Sequence, residues 1–309
     1  MKKWIGWSGA AIAVLGIGAT GLVTLFNPGV RFNQRKLPVV AAAPARPQTA
    51  ERYARRAGFN ILILGLDTWE RSAGRADLIM VVNLNPQTRQ VNVVSIPRDT
   101  KVPAGSRGWT KINHLHLLSE NQKTPGGTQA MIDAVCNLLQ QNLNYYLKIN
   151  FRGFEDFIDQ LGGLDIDLER PVKLTFKNQT LPAGKNHLDG ATALELTRER
   201  FSLPAGDFSR QSQQLRVLKA LVRQLVRADN LRNLPRQIQA AQKNLVETNF
   251  NQADWLAIAG LLHGLPESNL QYHQVPGRSQ MGLDPLTHTQ VYYWVPDRES
   301  VKRLGKDYF

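Results

Sequence analysis

Three short stretches of the chain carry the side chains from which phosphate chemistry is built. In "GLDTWERSAGRADLIM", Asp67 and Asp77 bracket Arg75. In "SIPRDTKV", Arg98 and Asp99 stand at the tip of an apolar run, with Lys111 and Asn113 in the "TKINH" just beyond. In "TRERFSLPAGDFSRQSQQ", Arg198, Arg200 and Arg210 precede Gln214. Paired carboxylates beside an arginine suit Mg²⁺ with phosphate, because Mg²⁺ takes one or two carboxylates and completes its shell with phosphate oxygens and waters. Arginine grips phosphate oxygens in pairs, where lysine acts as a point charge. Guanidiniums so close in sequence repel one another unless an anion lies between them.

Each stretch also has a plainer use. Asp67 and Asp77 suit turns closed by nearby arginines, Arg98 and Asp99 suit a surface salt bridge, and the third stretch suits a solvated basic loop balanced by Glu199 and Asp207. Other chemistries find no support. His114 and His116 are two apart, and neither HExxH nor CxxC occurs, so no zinc pattern is present. Walker-type loops and GxSxG are missing as well. The single cysteine, Cys136 in "MIDAVCNLLQ", excludes an intramolecular disulfide and reads as a buried thiol on a helical face. Basic residues do not interleave with aromatics as in single-strand binders, so no nucleic acid is expected.

The elements around these residues decide whether they meet. "FNILILGL" reads as a buried strand, and "LIMVVNLN" and "VNVVSIP" as a hairpin around "PQTRQ". Asp67 then ends one strand and Asp77 begins the next, and strands about 4.8 Å apart bring both carboxylates to one sheet edge. "LDGATALELTRER" reads as a helix with Asp189 as N-cap. In a continued helix Arg198 and Arg200 point about 200° apart. They converge only if the chain leaves helical geometry by residue 199, as "FSLPAG" suggests. "DFSRQSQQLRVLKALVRQLVRA" is a longer helix with Arg210 in its first turn, Gln214 on the same face, and a stripe of Leu215, Leu218, Val222 and Leu225. Helix N-termini favour anions.

Helices are also expected at "GTQAMIDAVCNLLQQNL", "RGFEDFIDQLGG", "LPRQIQAAQKNLVET" and "QADWLAIAGLLHGL". Further strands are expected at "YYLKINF", "LDIDL", "VKLTF", "NLQYHQVPG" and "QVYYWVP". The pattern is α/β: a single domain with a mixed central β-sheet flanked by helices, preceded by an N-terminal transmembrane helix. Residues 1–30 form the anchor, 31–57 a basic Pro/Ala-rich tether, and 58–309 the folded domain.

The anchor is "WIGWSGAAIAVLGIGATGLVTLF", uncharged from Trp4 to Phe26, which at about 1.5 Å per residue crosses a bilayer core of roughly 30 Å. Lysines precede it and Arg31, Arg35 and Lys36 follow it, so charge bias does not set its orientation. With 309 residues and a net charge of +13, the chain has ample core and an affinity for polyanions or anionic membranes.

Taken together, "NILILGLDTWERSAGRADLIMVV", "SIPRDTKV", "KINH", "LGGLDIDL", "LDGATALELTRER" and "GDFSRQSQQ" resemble the LytR–CpsA–Psr family. The resemblance implies a membrane-anchored phosphotransferase whose domain lies outside the cytoplasm, on a single-pass anchor in the cytoplasmic membrane. Its donor is a glycopolymer on a polyprenyl pyrophosphate, held with the lipid tail in an apolar pocket. Its acceptor is a peptidoglycan hydroxyl, and the product is a phosphodiester. It further implies that Asp67 and Asp77 serve Mg²⁺ or Mn²⁺, and that Arg75, Arg98, Arg198, Arg200, Arg210 and Gln214 bind pyrophosphate. Asp77, Arg98 and Asp99 are the candidate catalytic group, and on chemical grounds a carboxylate such as Asp77 could accept the proton of the acceptor hydroxyl. Two positions depart from the family pattern: Gln213 stands where an arginine is common, and Ala76 where serine is common. A polyprenyl-pyrophosphate hydrolase and a non-catalytic, membrane-tethered regulator are the alternatives that the sequence leaves open.

Overall fold

A computed structural model of the chain describes residues 28–32, 37–41, 58–70, 74–120, 126–200, 207–226, 239, 243, 245–285 and 288–309. Residues 1–27 of the expected anchor, most of the expected tether, the "FSLPAG" loop and nearly all of residues 234–244, the greater part of the helix expected at "LPRQIQAAQKNLVET", lie outside the described residues. Among the described residues no helix is long and apolar enough to cross a membrane.

The apolar runs read as strands form the centre of the fold. Strands β1 (Phe59–Leu66), β2 (Ala76–Leu84) and β3 (Val91–Ser95) make an antiparallel meander, with Leu64 opposite Ile79 and Met80 opposite Ser95. Asn85 fixes the β2–β3 turn by accepting the N–H groups of Gln87 and Thr88 through its side chain at 2.9 and 3.0 Å. β6 (Tyr145–Ile149) pairs in parallel with β1, and β12 (Leu270–Gln274) in parallel with β3. β11 (Leu245–Thr248) closes the other edge antiparallel to β6, giving the order β11-β6-β1-β2-β3-β12.

Both faces of this mixed sheet are apolar because helices cover both. On one face Leu62, Leu64, Leu66, Ile79 and Val81 pack against α2 (Ile112–Glu120), α3 (Gly127–Leu139) and α8 (Arg298–Tyr308). Cys136 belongs to this layer, where burial pushes its thiol up to about 11. On the other face Ile61, Met80, Val82 and Val93 pack toward α7 (Gln252–Leu262). A third apolar cluster joins α4 (Phe151–Gln160), α5 (Gly190–Arg198) and α6 (Asp207–Val226) to β7 (Leu164–Leu168), β8 (Val172–Leu174), β9 (Gln179–Leu181) and β10 (Gly184–Leu188). Asp189 caps α5 as expected, accepting Thr192 N–H at 2.7 Å. Two hairpins complete the fold: β4 (Lys101–Pro103) with β5 (Trp109–Lys111), and β13 (Gly277–Asp284) with β14 (Thr289–Pro296).

Three expectations need correction. The stretch read as a solvated tether is in part packed onto the domain. Arg31, at the end of α1 (Pro28–Arg31), lies 2.7 Å from Asp254, Phe32 stacks on Phe59 at 4.1 Å, and Val40 N–H donates to Leu143 O at 2.9 Å. "LPRQIQAAQKNLVET" does not end as a helix, since its last four residues are β11. "YYLKINF" is a strand only as far as Ile149, and its Phe151 opens α4. Helix α8 went unread because "RESVKRLGKDY" is mostly charged, with only Val301, Leu304 and Gly305 buried.

Candidate active site

Between the second sheet face and helices α6 and α7 lies a cavity of about 510 Å³. Alternation along the strands supplies one wall: Ile61 and Ile63 from β1, and Leu78, Met80, Val82 and Leu84 from β2. Helix α6 supplies another through Arg210, Gln214, Val217, Leu218, Leu221 and Val222. These are spaced i, i+4, i+7, i+8, i+11 and i+12, a single helical face. That face is polar in the first turns and apolar afterwards. The expected apolar stripe is rotated accordingly: Leu218 and Val222 line the wall and Leu215 does not.

The charged end of the cavity gathers Asp67, Arg75, Asp77, Arg98, Arg198, Arg200, Arg210 and Gln214. Residues from all three sequence stretches therefore meet at one place. Asp67 leaves β1 just past a register shift at Gly65–Leu66, and its Oδ1 accepts the Arg75 backbone N–H at 2.6 Å. The Arg75 guanidinium lies 3.0 Å from Asp67 Oδ2. Asp77, one residue into β2, accepts Arg98 Nη1 at 2.5 Å and Arg210 Nη1 at 3.5 Å on Oδ2. Its Oδ1 accepts the Asn113 side-chain amide at 2.9 Å.

The helical break expected near residue 199 is present. Helix α5 ends at Arg198, and Glu199 is extended with φ −63° and ψ 129°. Arg198 and Arg200 consequently share the cavity. Arg198 is held from three sides, by Glu195 at 2.7 Å and by the rings of Phe151 and Phe176 at 4.6 and 5.1 Å. Glu199 turns away from the basic cluster, and its carboxylate accepts the backbone N–H and hydroxyl of Thr175 at 2.6 and 3.0 Å. Gln214 donates to Thr197 O at 3.4 Å, tying α6 to the end of α5.

Asp99 is not part of the wall. It stands behind it, accepting Lys111 Nζ at 2.7 Å and lying 3.8 Å from Arg98 Nε. From there its carboxylate lies beside Arg98 and not in the cavity lining. Gln213 is buried and also outside the wall, so the arginine absent from that position is not missing from the charged end. Sequence reasoning did not find Phe151, Phe176 and Glu195, which hold Arg198, or His116, whose Nδ1 bonds Gly74 O at 2.8 Å and so steadies the turn that carries Arg75. The i, i+3 spacing of Glu195 and Arg198 was a readable signal; the aromatic contacts had none, because Phe151 and Phe176 come from distant segments.

Five arginines and two aspartates line this end, and with Glu195 paired to Arg198 a surplus of two positive charges remains. Burial pushes the Asp77 carboxyl up, but Arg98, Asn113 and Arg210 outweigh burial and hold it below the usual carboxylate range. Among the described residues no cluster of three or more His, Cys, Asp or Glu forms a protein-only metal cage. Asp67 and Asp77 are the carboxylates at this end that could share Mg²⁺ or Mn²⁺ with phosphate oxygens and water, once Arg75, Arg98, Arg210 and Asn113 yield the oxygens they now hold. The arrangement can take a doubly charged anionic head and a long apolar tail in one piece.

Comparison with known proteins agrees. The sequence model of the LytR_cpsA_psr family matches residues 33–308. A polyisoprenyl-teichoic acid–peptidoglycan teichoic acid transferase TagU of Bacillus mycoides (strain KBAB4) is 33% identical over 239 residues, covering 77% of this chain and 74% of the relative. The crystal structure of B. subtilis TagV superposes with a TM-score of 0.69 at 28% identity, over 82% of this chain and 98% of that one. A structure from Enterococcus faecalis, described as a transcriptional regulator, superposes with a TM-score of 0.64 at 28% identity, over 80% of this chain and 85% of that one.

Proposed function

The chain belongs to the LytR_cpsA_psr family, and we propose that it transfers a glycopolymer from a polyprenyl-pyrophosphate carrier to a peptidoglycan hydroxyl. The observation that carries this reading is the single cavity whose polar end is arginine-rich and whose body is apolar. The pyrophosphate lies among Arg75, Arg98, Arg198, Arg200 and Arg210, and the polyprenyl tail lies along β1, β2 and the later turns of α6.

The acceptor oxygen bonds to the phosphorus that bears the glycan. The bridging P–O bond breaks, polyprenyl phosphate leaves with the bridging oxygen, and the hydroxyl proton passes to a carboxylate. Phosphoryl transfer asks the protein chiefly for positioning and charge stabilisation, and the preset arginines supply both. Mg²⁺ or Mn²⁺, held by Asp67 and Asp77, would supply further neutralisation of the phosphates. Asp77 is the proton acceptor. At rest its partners make it a poor base, but pyrophosphate oxygens recruit Arg98 and Arg210 and so lift the acidifying contacts. An oxygen given to a cation is a weak base, so the metal and proton roles of Asp77 compete, and a metal-dependent shift in the pH–rate profile separates them. The chain is expected to act at the outer face of the cytoplasmic membrane, where donor and acceptor meet.

The test is reconstitution of the full chain in lipid nanodiscs with a polyprenyl-pyrophosphate-linked glycan. Polyprenyl phosphate release that depends on added peptidoglycan, with the glycan recovered on the polymer, supports transfer. Equal release without peptidoglycan supports a hydrolase instead, and no release overturns both.

A further inference from the structure

On the opposite face of the sheet from the cavity lies a second concavity, a groove of about 1180 Å³. It runs along α3, bounded by the β4–β5 hairpin on one side and the first turns of α8 on the other. Its floor is apolar and shallow, with Ala134 and Leu138 contributing. Its rim is basic: Lys101, Arg107 and Arg298 line it, and among the described residues none of the three forms an ion pair with a carboxylate. The acids of the groove are already engaged, Glu299 with Lys302 at 3.6 Å and Asp133 with the Gln129 amide at 2.8 Å.

Trp109 adds a second kind of recognition. It lines the groove with 44% of its surface exposed, an unusual position for the largest apolar side chain. Lys101 Nζ sits 5.8 Å from the Trp109 ring centre and 5.1 Å from that of Tyr293. An exposed indole face beside unpaired cations suits a sugar ring whose neighbours carry carboxylates.

The groove is also joined to the charged end of the cavity. Lys101 follows Arg98 by three residues, which spans at most about 10 Å of extended chain. Lys101 is the β-ladder partner of Lys111, whose Nζ holds the Asp99 carboxylate behind Arg98.

We propose that this groove binds the acceptor, an anionic glycan strand with carboxylate-bearing stems, and leads one of its hydroxyls toward the arginine cluster. The proposal rests on the transfer reading above. It explains a feature that the lipid-binding cavity leaves unused, a second basic surface with an aromatic platform. The donor needs only the cavity; the acceptor needs a surface of its own, because the two substrates must be held together.

The experiment uses the full chain in nanodiscs with three variants, Lys101→Glu, Trp109→Ala and Trp109→Phe, and purified peptidoglycan as the probe. Co-sedimentation with peptidoglycan reads the groove without any turnover. Transfer kinetics read the acceptor KM, and titration with donor lipid reads the cavity. Lys101→Glu and Trp109→Ala are expected to raise the acceptor KM about tenfold, the loss of one charge-assisted or stacking contact, and to weaken co-sedimentation in parallel. Donor affinity stays unchanged, and Trp109→Phe keeps most of the wild-type acceptor binding. An unchanged acceptor KM and unchanged co-sedimentation would overturn the proposal, as would an equal loss of donor affinity. If the wild type shows no transfer at all, the proposed function fails while co-sedimentation still decides whether the groove binds glycan.

Discussion

Asp77 is the residue at which the reading of the site is most exposed to test. Its Oδ2 neutralises Arg98 at 2.5 Å and Arg210 at 3.5 Å, while Oδ1 takes the Asn113 amide at 2.9 Å. Asp77→Asn keeps the shape and removes the charge. One amide oxygen can still accept from Arg98 and Arg210, but the NH₂ group must then face the Asn113 amide, and the counter-charge is gone. Breaking a fully buried ion pair costs about 3–5 kcal/mol. The side chains of Asp77 and Arg98 retain 20% and 16% exposure, so solvent screens part of this, and a loss of about 2 kcal/mol is expected. For a domain of this size that lowers Tm by about 4–8 °C. The same carboxylate competes with any anion for Arg98 and Arg210. With it gone, inorganic pyrophosphate in the presence of EDTA should bind about tenfold more tightly, while turnover is lost. Thermal denaturation and calorimetric titration read the two effects separately. A lower pyrophosphate affinity in the metal-free variant, or an unchanged Tm, would refute the account of Asp77 as a resident counter-ion. The pH dependence follows from the direction of the shift. The folded carboxyl lies below its unfolded value, so its stabilising contribution is complete above about pH 4 and falls away as pH drops through the lowered value. The stability gap between wild type and Asp77→Asn should close at acid pH.

Leu218→Trp places an indole inside the apolar part of the cavity and should weaken donor-lipid binding at least tenfold while leaving inorganic pyrophosphate affinity unchanged, as measured by titration with each. Arg198→Lys keeps the charge but gives up the planar stack against Phe151 and Phe176, so kcat should fall about tenfold or more, with little change in Tm. Gly190→Ala is predicted to destabilise by about 3 kcal/mol or to prevent folding, because its Cβ would lie 2.2 Å from Glu155 O, a backbone atom that cannot step aside. Denaturant unfolding of that variant measures the cost.

The central sheet was legible because its strands are continuous apolar runs, and "FNILILGL" needs no context to declare itself. The site was legible for a different reason. Asp67 follows β1 and Asp77 begins β2, so the pairing of those strands brings them close, and Arg98 follows the end of β3 by three residues. The convergence of Arg198 and Arg200 followed from one local inference, that the helix stops before residue 200. What escaped depends on contacts between distant segments. The phase of the α6 stripe was misjudged by choosing Leu215 over Val217, since both positions are apolar and only the packing of the helix selects between them. Asp99 adjoins Arg98 in the turn after β3, and only the packing of Lys111 against it sets its carboxylate behind that arginine rather than in the cavity wall. The packed Arg31 and Phe32 lie in a stretch whose composition is that of a linker, and nothing local records that Asp254 and Phe59 await them.

The continuity of the α6 face, polar at Arg210 and Gln214 and apolar from Val217 onward, has a kinetic consequence. On the transfer reading, donor and spent carrier have the same hydrocarbon tail, so the part of the cavity that holds most of the buried surface cannot tell one from the other. Transfer removes one phosphate and the glycan, and with them only the arginine contacts at the entrance. The spent lipid therefore remains a strong competitor for the next donor, and departure of the tail, rather than bond-making at phosphorus, should set the pace of each cycle. A burst of one equivalent of product followed by a slower steady rate would be its signature, steepening when a sink for lipid phosphate is supplied.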